Sequence, residues 1–166
     1  MSTDAIVMLR EDHKEIRRLF REVKALGPDA TESKAKLVEQ ILEALTIHTY
    51  IENEVMYPRM RELVPDVDSE ILESYEEHHV ADVLGSELAM MAPDAEHFDA
   101  KLSVLIENVE HHIEEEESNW FPTVREALGR NTLQEIGEKL LEARERAPRH
   151  PAQPGALKKA VHALLG

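Results

Sequence analysis

Four stretches of this chain carry apolar residues at helical spacing, and each stripe is broken near its middle by histidine or a carboxylate. The first runs from about Thr3 to Leu26 through Ile6, Leu9, His13, Ile16, Phe20 and Val23. The second begins near Thr31 or Ser33 and reaches about Leu63 through Val38, Ile41, Leu45, His48, Glu52 and Val55, with a kink expected at Pro58. The third follows Pro65 to about Met91 through Ile71, Tyr75, His78, Asp82, Gly85 and Ala89. The fourth follows Pro93 to about Leu128-Gly129 through Phe98, Leu102, Leu105, Val109, His112, Glu116 and Asn119. No alternating Val/Ile/Thr run or Asn-Gly hairpin signals a strand. The expected fold is all-α, an up-down-up-down four-helix bundle over residues 1–128. Residues 129–166 then give a fifth helix from Thr132 to about Arg146, a Pro-rich linker and a short amphipathic piece, Ala156 to Leu165, packed on the bundle.

A charge placed in a core costs several kcal/mol unless it is paired or bound to a metal. No Lys or Arg lies in the stripes to pair Glu52 or Glu116. Residues four apart share a helix face, so His48 with Glu52, and His112 with Glu116, point the same way one turn apart. Together with His13 and His78 they converge on one level of the bundle. Imidazole and carboxylate without sulfur suit iron, manganese or zinc, and the chain has no cysteine.

The pattern also repeats. His48, Glu52 and Pro58 recur as His112, Glu116 and Pro122 at an offset of 64, and Tyr57-Pro58 matches Phe121-Pro122. The chain therefore reads as two similar helical hairpins, and a pseudo-two-fold axis between them gives two metals related positions. The proline offset selects His112 with Glu116 over the competing pair His111 with Glu115. On the third helix, His78 rather than His79 aligns with His13. A ferritin-like di-iron bundle needs Glu-x-x-His on two helices, and only the segment Glu76-Glu77-His78-His79 offers one.

Composition removes other classes. The net charge of -15 disfavours nucleic acid and anionic membrane as partners. Aromatics at 4% are too few for a base-stacking surface. No apolar run approaches the roughly 20 residues of a membrane span, and Met1 to Ile16 shows no signal-peptide core, so a cytoplasmic protein is expected, monomeric or weakly dimeric. Charge is uneven: residues 139–166 carry net +4 against -19 for residues 1–138. The tail is expected to fold back on the acidic bundle, with Leu157, Val161 and Leu164 covering apolar surface.

The order His13, His48-Thr49-Tyr50-Ile51-Glu52, His78, His112-Ile113-Glu114-Glu115-Glu116 resembles the hemerythrin-like HHE cation-binding domain. Asp12-His13 with Ile16, Leu19 and Phe20, and Glu76-Glu77-His78-His79, resemble that family's first and third helices. The likeness covers about residues 1–128. It implies two non-haem irons, oxo- or carboxylate-bridged, with the four histidines as terminal ligands and Glu52 and Glu116 as bridges. It also implies small-molecule partners: dioxygen, peroxide or nitric oxide.

The oxygen-carrying members have His-x-x-x-His on the third helix; here the position four after His78 is Asp82. Two irons preferring about six donors each would then keep open positions unless Asp82 or a nearby tyrosine, Tyr57 or Tyr75, fills one. Open positions permit chemistry, so the reading leans to catalase-like or nitric-oxide turnover. An iron or oxygen sensor, or oxygen binding without turnover, is the alternative, and a metal-free interaction module the third. His79 and His111 are expected outside the donor set or as its outer support. Glu114, Glu115 and Glu117 are expected on a solvated face.

Overall fold

In a computed structural model, residues 3–151 are described and are mostly helical, with no strand among them. Helix α1 spans Ala5–Lys24. Asp4 caps it, its carboxylate accepting from the Val7 N–H at 3.1 Å. Gly27-Pro28 ends the first hairpin arm, and α2 spans Thr31–Ile51. A π-helical turn, Glu52–Met56, leads into α3, Tyr57–Leu63. A short 3₁₀ turn, Pro65–Val67, then opens α4, Asp68–Ala89. Helix α5 spans Phe98–Glu115 and passes through a second π turn, Glu116–Trp120, into α6, Phe121–Arg146. Inside α6 the backbone leaves helical geometry at Gly129, where φ is +71°, a conformation glycine adopts without penalty. The expected boundary at Leu128-Gly129 is thus a kink between two stretches of helix.

The two π turns start at Glu52 and at Glu116, the same offset of 64 seen in the sequence. In each, the sixth residue's N–H bonds back five positions, Tyr57 to the Glu52 carbonyl and Phe121 to that of Glu116. Each is followed by a proline, Pro58 or Pro122, which has no N–H to give to an α-helical ladder. The wide turn adds one residue to the helix, so the buried face slips by one. Val55 is only half-buried while Met56 is fully buried, and Asn119 is exposed while Trp120 is buried. Both stripes therefore depart from simple helical extrapolation after their glutamate, and for one reason.

Two apolar clusters fill the interior. One joins Ile6 and Leu9 of α1 to Met56, Tyr57, Trp120 and Phe121, and to Leu133, Ile136 and Leu140 beyond the α6 kink. The other joins Ile16 and Phe20 of α1 to Val38, Ile41, Leu102 and Leu105. His13 stands on α1 between the parts that supply the two clusters, so the polar layer lies between two dry ones. The last described residues turn back on the bundle, where Arg149 pairs with Glu43 of α2 at 3.1 Å. The tail residues Leu157, Val161 and Leu164 lie outside the described residues.

Candidate metal centre

All six inward residues expected from the stripes meet in this polar layer. His13, His48, Glu52 and Glu116 form one group whose donor atoms lie within 4.8 Å of one another, and Glu52, His78 and His112 form a second. Glu52 belongs to both. His13, Glu52 and Glu116 have no exposed surface, and His48, His78 and His112 almost none. Each histidine turns Nε2 inward. His48 Nε2 is 2.5 Å from Glu52 Oε1, His13 Nε2 3.2 Å from Glu116 Oε1, and His112 Nε2 3.3 Å from the same oxygen. The Nε2 atoms of His78 and His112 face each other at 3.0 Å.

The inward atoms fit a metal better than they fit one another. His13 Nε2, His48 Nε2, both oxygens of Glu52 and Oε1 of Glu116 are buried without a hydrogen-bond partner, since their close approaches lack bonding angles. Five such orphans at one level would each cost about 1–3 kcal/mol. Nitrogen and oxygen donors without sulfur are what iron, manganese or zinc accept.

The outward nitrogens are held. His48 Nδ1–H donates to Asp12 at 3.0 Å, His78 to the Asn53 side-chain oxygen at 2.8 Å, His112 to Glu77 at 3.0 Å, and His13 to Glu117 at 3.3 Å. Each partner is the chain neighbour of a different inward residue. Asp12 precedes His13, Asn53 follows Glu52, Glu77 precedes His78, and Glu117 follows Glu116. The four bonds therefore run in a closed ring, α1 to α2, the π turn after α2 to α4, α4 to α5, and the π turn after α5 back to α1. Such bonds fix the tautomer and ring plane of a metal-binding imidazole. The sequence reading missed this ring, and it left Glu117 on the solvated face. Glu117 is only 14% exposed because Arg17, at 3.2 Å, and His13 draw it inward.

Tyr57 is also at the centre. Its hydroxyl donates to Glu116 Oε2 at 2.8 Å and lies 3.1 Å from His78 Nε2 and 3.3 Å from His112 Nε2. Tyr75 packs edge-on against the Tyr57 ring, its own hydroxyl reaching only the Asn53 carbonyl at 3.5 Å. Asp82 is a correction. The buried face of α4 runs Ile71, Ser74, His78, Ala81, Gly85 and Leu88, so the step after His78 is three residues, and Asp82 falls on the exposed side. There it lines an outer groove with His79, Thr49 and Asn53. His79 is exposed, and His111, 60% exposed, reaches only the far oxygen of Glu77 at 3.7 Å.

Burial and mutual charge shape the ionisation of the metal-free centre. Burial works against charge on His48, but Glu52 and Asp12 outweigh it and raise the ring to about 10. Burial and the adjacent Glu116 push Glu52 up to about 7. Burial would also raise Glu116, yet His112 and His13 hold it well below the usual carboxylate range. Burial and the charge of His112 drive His78 well below normal. Burial with Glu116 and Glu52 drives Tyr57 well above its ordinary value, so its hydroxyl keeps its proton. The cluster thus holds protons where a cation would sit.

Beside the centre is a small void of about 10 Å³, bounded by His48, His78, His112, Leu45, Ala81 and Val109. That is the space of about one water molecule.

The hemerythrin HHE cation binding domain matches residues 4–124. This chain belongs to the hemerythrin HHE cation-binding domain family. An HHE cation binding domain-containing protein from Mycobacterium kansasii has the same fold, with a TM-score of 0.72 at 25% identity over 86% of each chain. A DNA nickase from Nostoc is 30% identical over 124 residues, 73% of this chain. The chain spans about a third of that relative's length. No helix of this HHE domain is long and apolar enough to cross a membrane, among the described residues. Its His and Glu groups could hold a metal ion.

Proposed function

We propose that this HHE domain is a non-haem di-iron protein reacting with dioxygen, peroxide or nitric oxide, with peroxide or nitric-oxide turnover favoured over reversible oxygen carriage. The observation that carries the reading is that Glu52 belongs to both donor groups, which is what a carboxylate bridging two cations requires. Residues 1–128 act as an up-down-up-down bundle, and residues 130–146 as a fifth helix laid against it.

In this reading His13, His48, His78 and His112 would hold two irons, with Glu52 and Glu116 as the carboxylates shared between them. Two irons there would supply the electrons, one from each ferrous ion to dioxygen, or accept them from peroxide in the ferric state. The chain's own residues do the rest. The Nδ1 bonds keep each imidazole aimed inward, so the metal-free centre is already shaped for its cations. The Tyr57 hydroxyl, its proton secured by burial, offers that proton at Oη within 3.3 Å of both His78 and His112. The two apolar clusters exclude bulk water, and a void of about 10 Å³ admits only molecules of a few atoms. With Asp82 outside, no side chain from α4 beyond His78 completes the donor set, which supports turnover over carriage. The nickase named in the Nostoc relative is a protein of which the match covers only about a third, and a net charge of -15 opposes DNA.

The test is iron per chain with the ultraviolet–visible spectrum, before and after peroxide, and the rate of peroxide or nitric-oxide loss against metal-free protein. Two irons with an oxo-bridge band and faster loss support the proposal. Rates equal to those of metal-free protein would sink the enzymatic version.

A further inference from the structure

The four outer partners differ in what stands behind them. Asp12 is gripped by Arg144, whose Nη2 lies 3.1 Å from Oδ1 and 2.9 Å from Oδ2. Arg144 comes from α6 beyond the Gly129 kink, outside residues 4–124 where the family matches. It is placed there by Leu140 and Ala143, which are fully buried in the cluster that includes Ile6 and Leu9 of α1. From Arg144 the contacts run inward without a gap: Asp12 to His48 Nδ1 at 3.0 Å, and His48 Nε2 to Glu52 Oε1 at 2.5 Å. Among the described residues, nothing related by the internal repeat does this on the other side. Glu77, the counterpart of Asp12, has only the exposed His111 at 3.7 Å.

We propose that Arg144 is a positioning residue that sets the orientation of His48 through Asp12, so that the C-terminal extension, and not the HHE repeat alone, shapes one of the two metal positions. The proposal rests on the di-iron reading for its metal consequence, while the orientation of His48 is testable without metal. The Arg144 guanidinium stays charged, and its Nη2, bonded to both carboxylate oxygens, restrains how Asp12 can turn. Asp12 so held accepts from the Nδ1 edge of the His48 ring, which keeps a proton on Nδ1 and turns Nε2 inward as the atom a cation would meet. Asp12 is 18% exposed even with Arg144 in place, so loss of Arg144 lets its carboxylate turn to water.

A matched control exists in the same molecule. Arg125 grips Asp4 at 3.0 and 3.1 Å, also joining α6 to α1, but Asp4 caps a helix and holds no inward histidine. Arg144→Leu, Arg144→Lys and Arg125→Leu are compared in two measurements. The first is the His48 ring N–H resonance in metal-free protein. It should be sharp in the parent and in Arg125→Leu, shifted or lost in Arg144→Leu, and partly restored in Arg144→Lys. The second is titration of metal-free protein with ferrous or cobaltous ion. Arg144→Leu should weaken one of the two binding steps by roughly 10–100-fold and leave the other unchanged, while Arg125→Leu lowers thermal stability and leaves both steps alone. An unchanged His48 resonance in Arg144→Leu overturns the proposal, as do two steps weakened alike by both leucine variants. If the parent takes up no metal yet the His48 resonance still answers to Arg144, the di-iron reading fails and the positioning of His48 stands.

Discussion

The two halves of the centre are built by one repeat and finished differently. Donors, π turns and following prolines recur at an offset of 64 or 65, and the outer bonds obey the same relation. Asp12 on His48 corresponds to Glu77 on His112, and Asn53 on His78 to Glu117 on His13. The first group, with His13 and His48, has two carboxylate supports, each backed by an arginine, Arg17 or Arg144. The second, with His78 and His112, has one carboxylate and one neutral amide, and no arginine behind either among the described residues. A repeat can thus give two similar cation positions, while single substitutions just outside the repeat's stripes make them unequal. Charged supports hold a cation-binding imidazole in place more firmly than a neutral amide does, so the first position should fill first.

The sharpest way to break the comparison is to remove what the halves share. Glu52→Ala should abolish binding of both metals, since Glu52 is in both groups, whereas His78→Leu should cost about one metal per chain. Metal content of purified protein reads this directly. Glu52→Ala that still holds one metal would mean that the groups do not share a bridge. The next effect tests the inequality. Glu77→Gln keeps a hydrogen-bond acceptor for His112 but removes its charge, leaving the second half with two neutral supports. One binding step should weaken by roughly 10–100-fold. Titration showing equal loss in both steps would end the idea of separate positions.

These halves also show what a reader of the sequence sees and what it hides. The six donors were visible because a buried polar residue breaks an apolar stripe, and because the breaks repeat. The first stripe is buried at every position expected, Ile6 through Val23. The second and fourth hold as far as Glu52 and Glu116 and then slip by one, because nothing in a 3.6-residue period announces the extra residue of a π turn. The prolines ten after His48 and His112 were its only trace, and they suggest a kink equally well. Asp82 was drawn into the third stripe by stepping four from His78 where the helix steps three to Ala81. The outer ring stayed hidden for another reason. Asp12, Asn53, Glu77 and Glu117 each sit beside one inward residue and serve a different one, on another helix. Only the packed bundle shows which histidine each one serves, although a polar residue flanking every inward donor was there to be noticed.

A smaller effect comes from protons. His48 is held charged up to about 10 and Glu52 titrates near about 7 in the metal-free centre. A cation must displace the His48 proton at any pH below about 10, and below about 7 it must displace one from Glu52 as well. Metal loading at pH 7 should therefore acidify a weakly buffered solution, and affinity should fall as pH is lowered from about 8 to about 6. Affinity that does not change over this range would show that the inward atoms are not the ones metal uses.

The smallest expected change separates the extension's packing from its reach into the centre. Gly137 lies on α6 beyond the kink, where the backbone of Thr3 crosses so closely that an added Cβ would stand 1.4 Å from the Thr3 carbonyl oxygen and 2.6 Å from its carbon. Those are backbone atoms, so relief requires lifting the segment before α1 away from α6. Gly137→Ala should then cost about 1–3 kcal/mol, a fall in melting temperature of roughly 2–4 °C per kcal/mol for a chain of this size. His13 lies ten residues further along α1, and Arg144 grips Asp12 beside it, so the metal count should not change. A stable Gly137→Ala variant that loses metal would show that the extension acts on the centre through its whole packed face, and would remove the special standing given to Arg144.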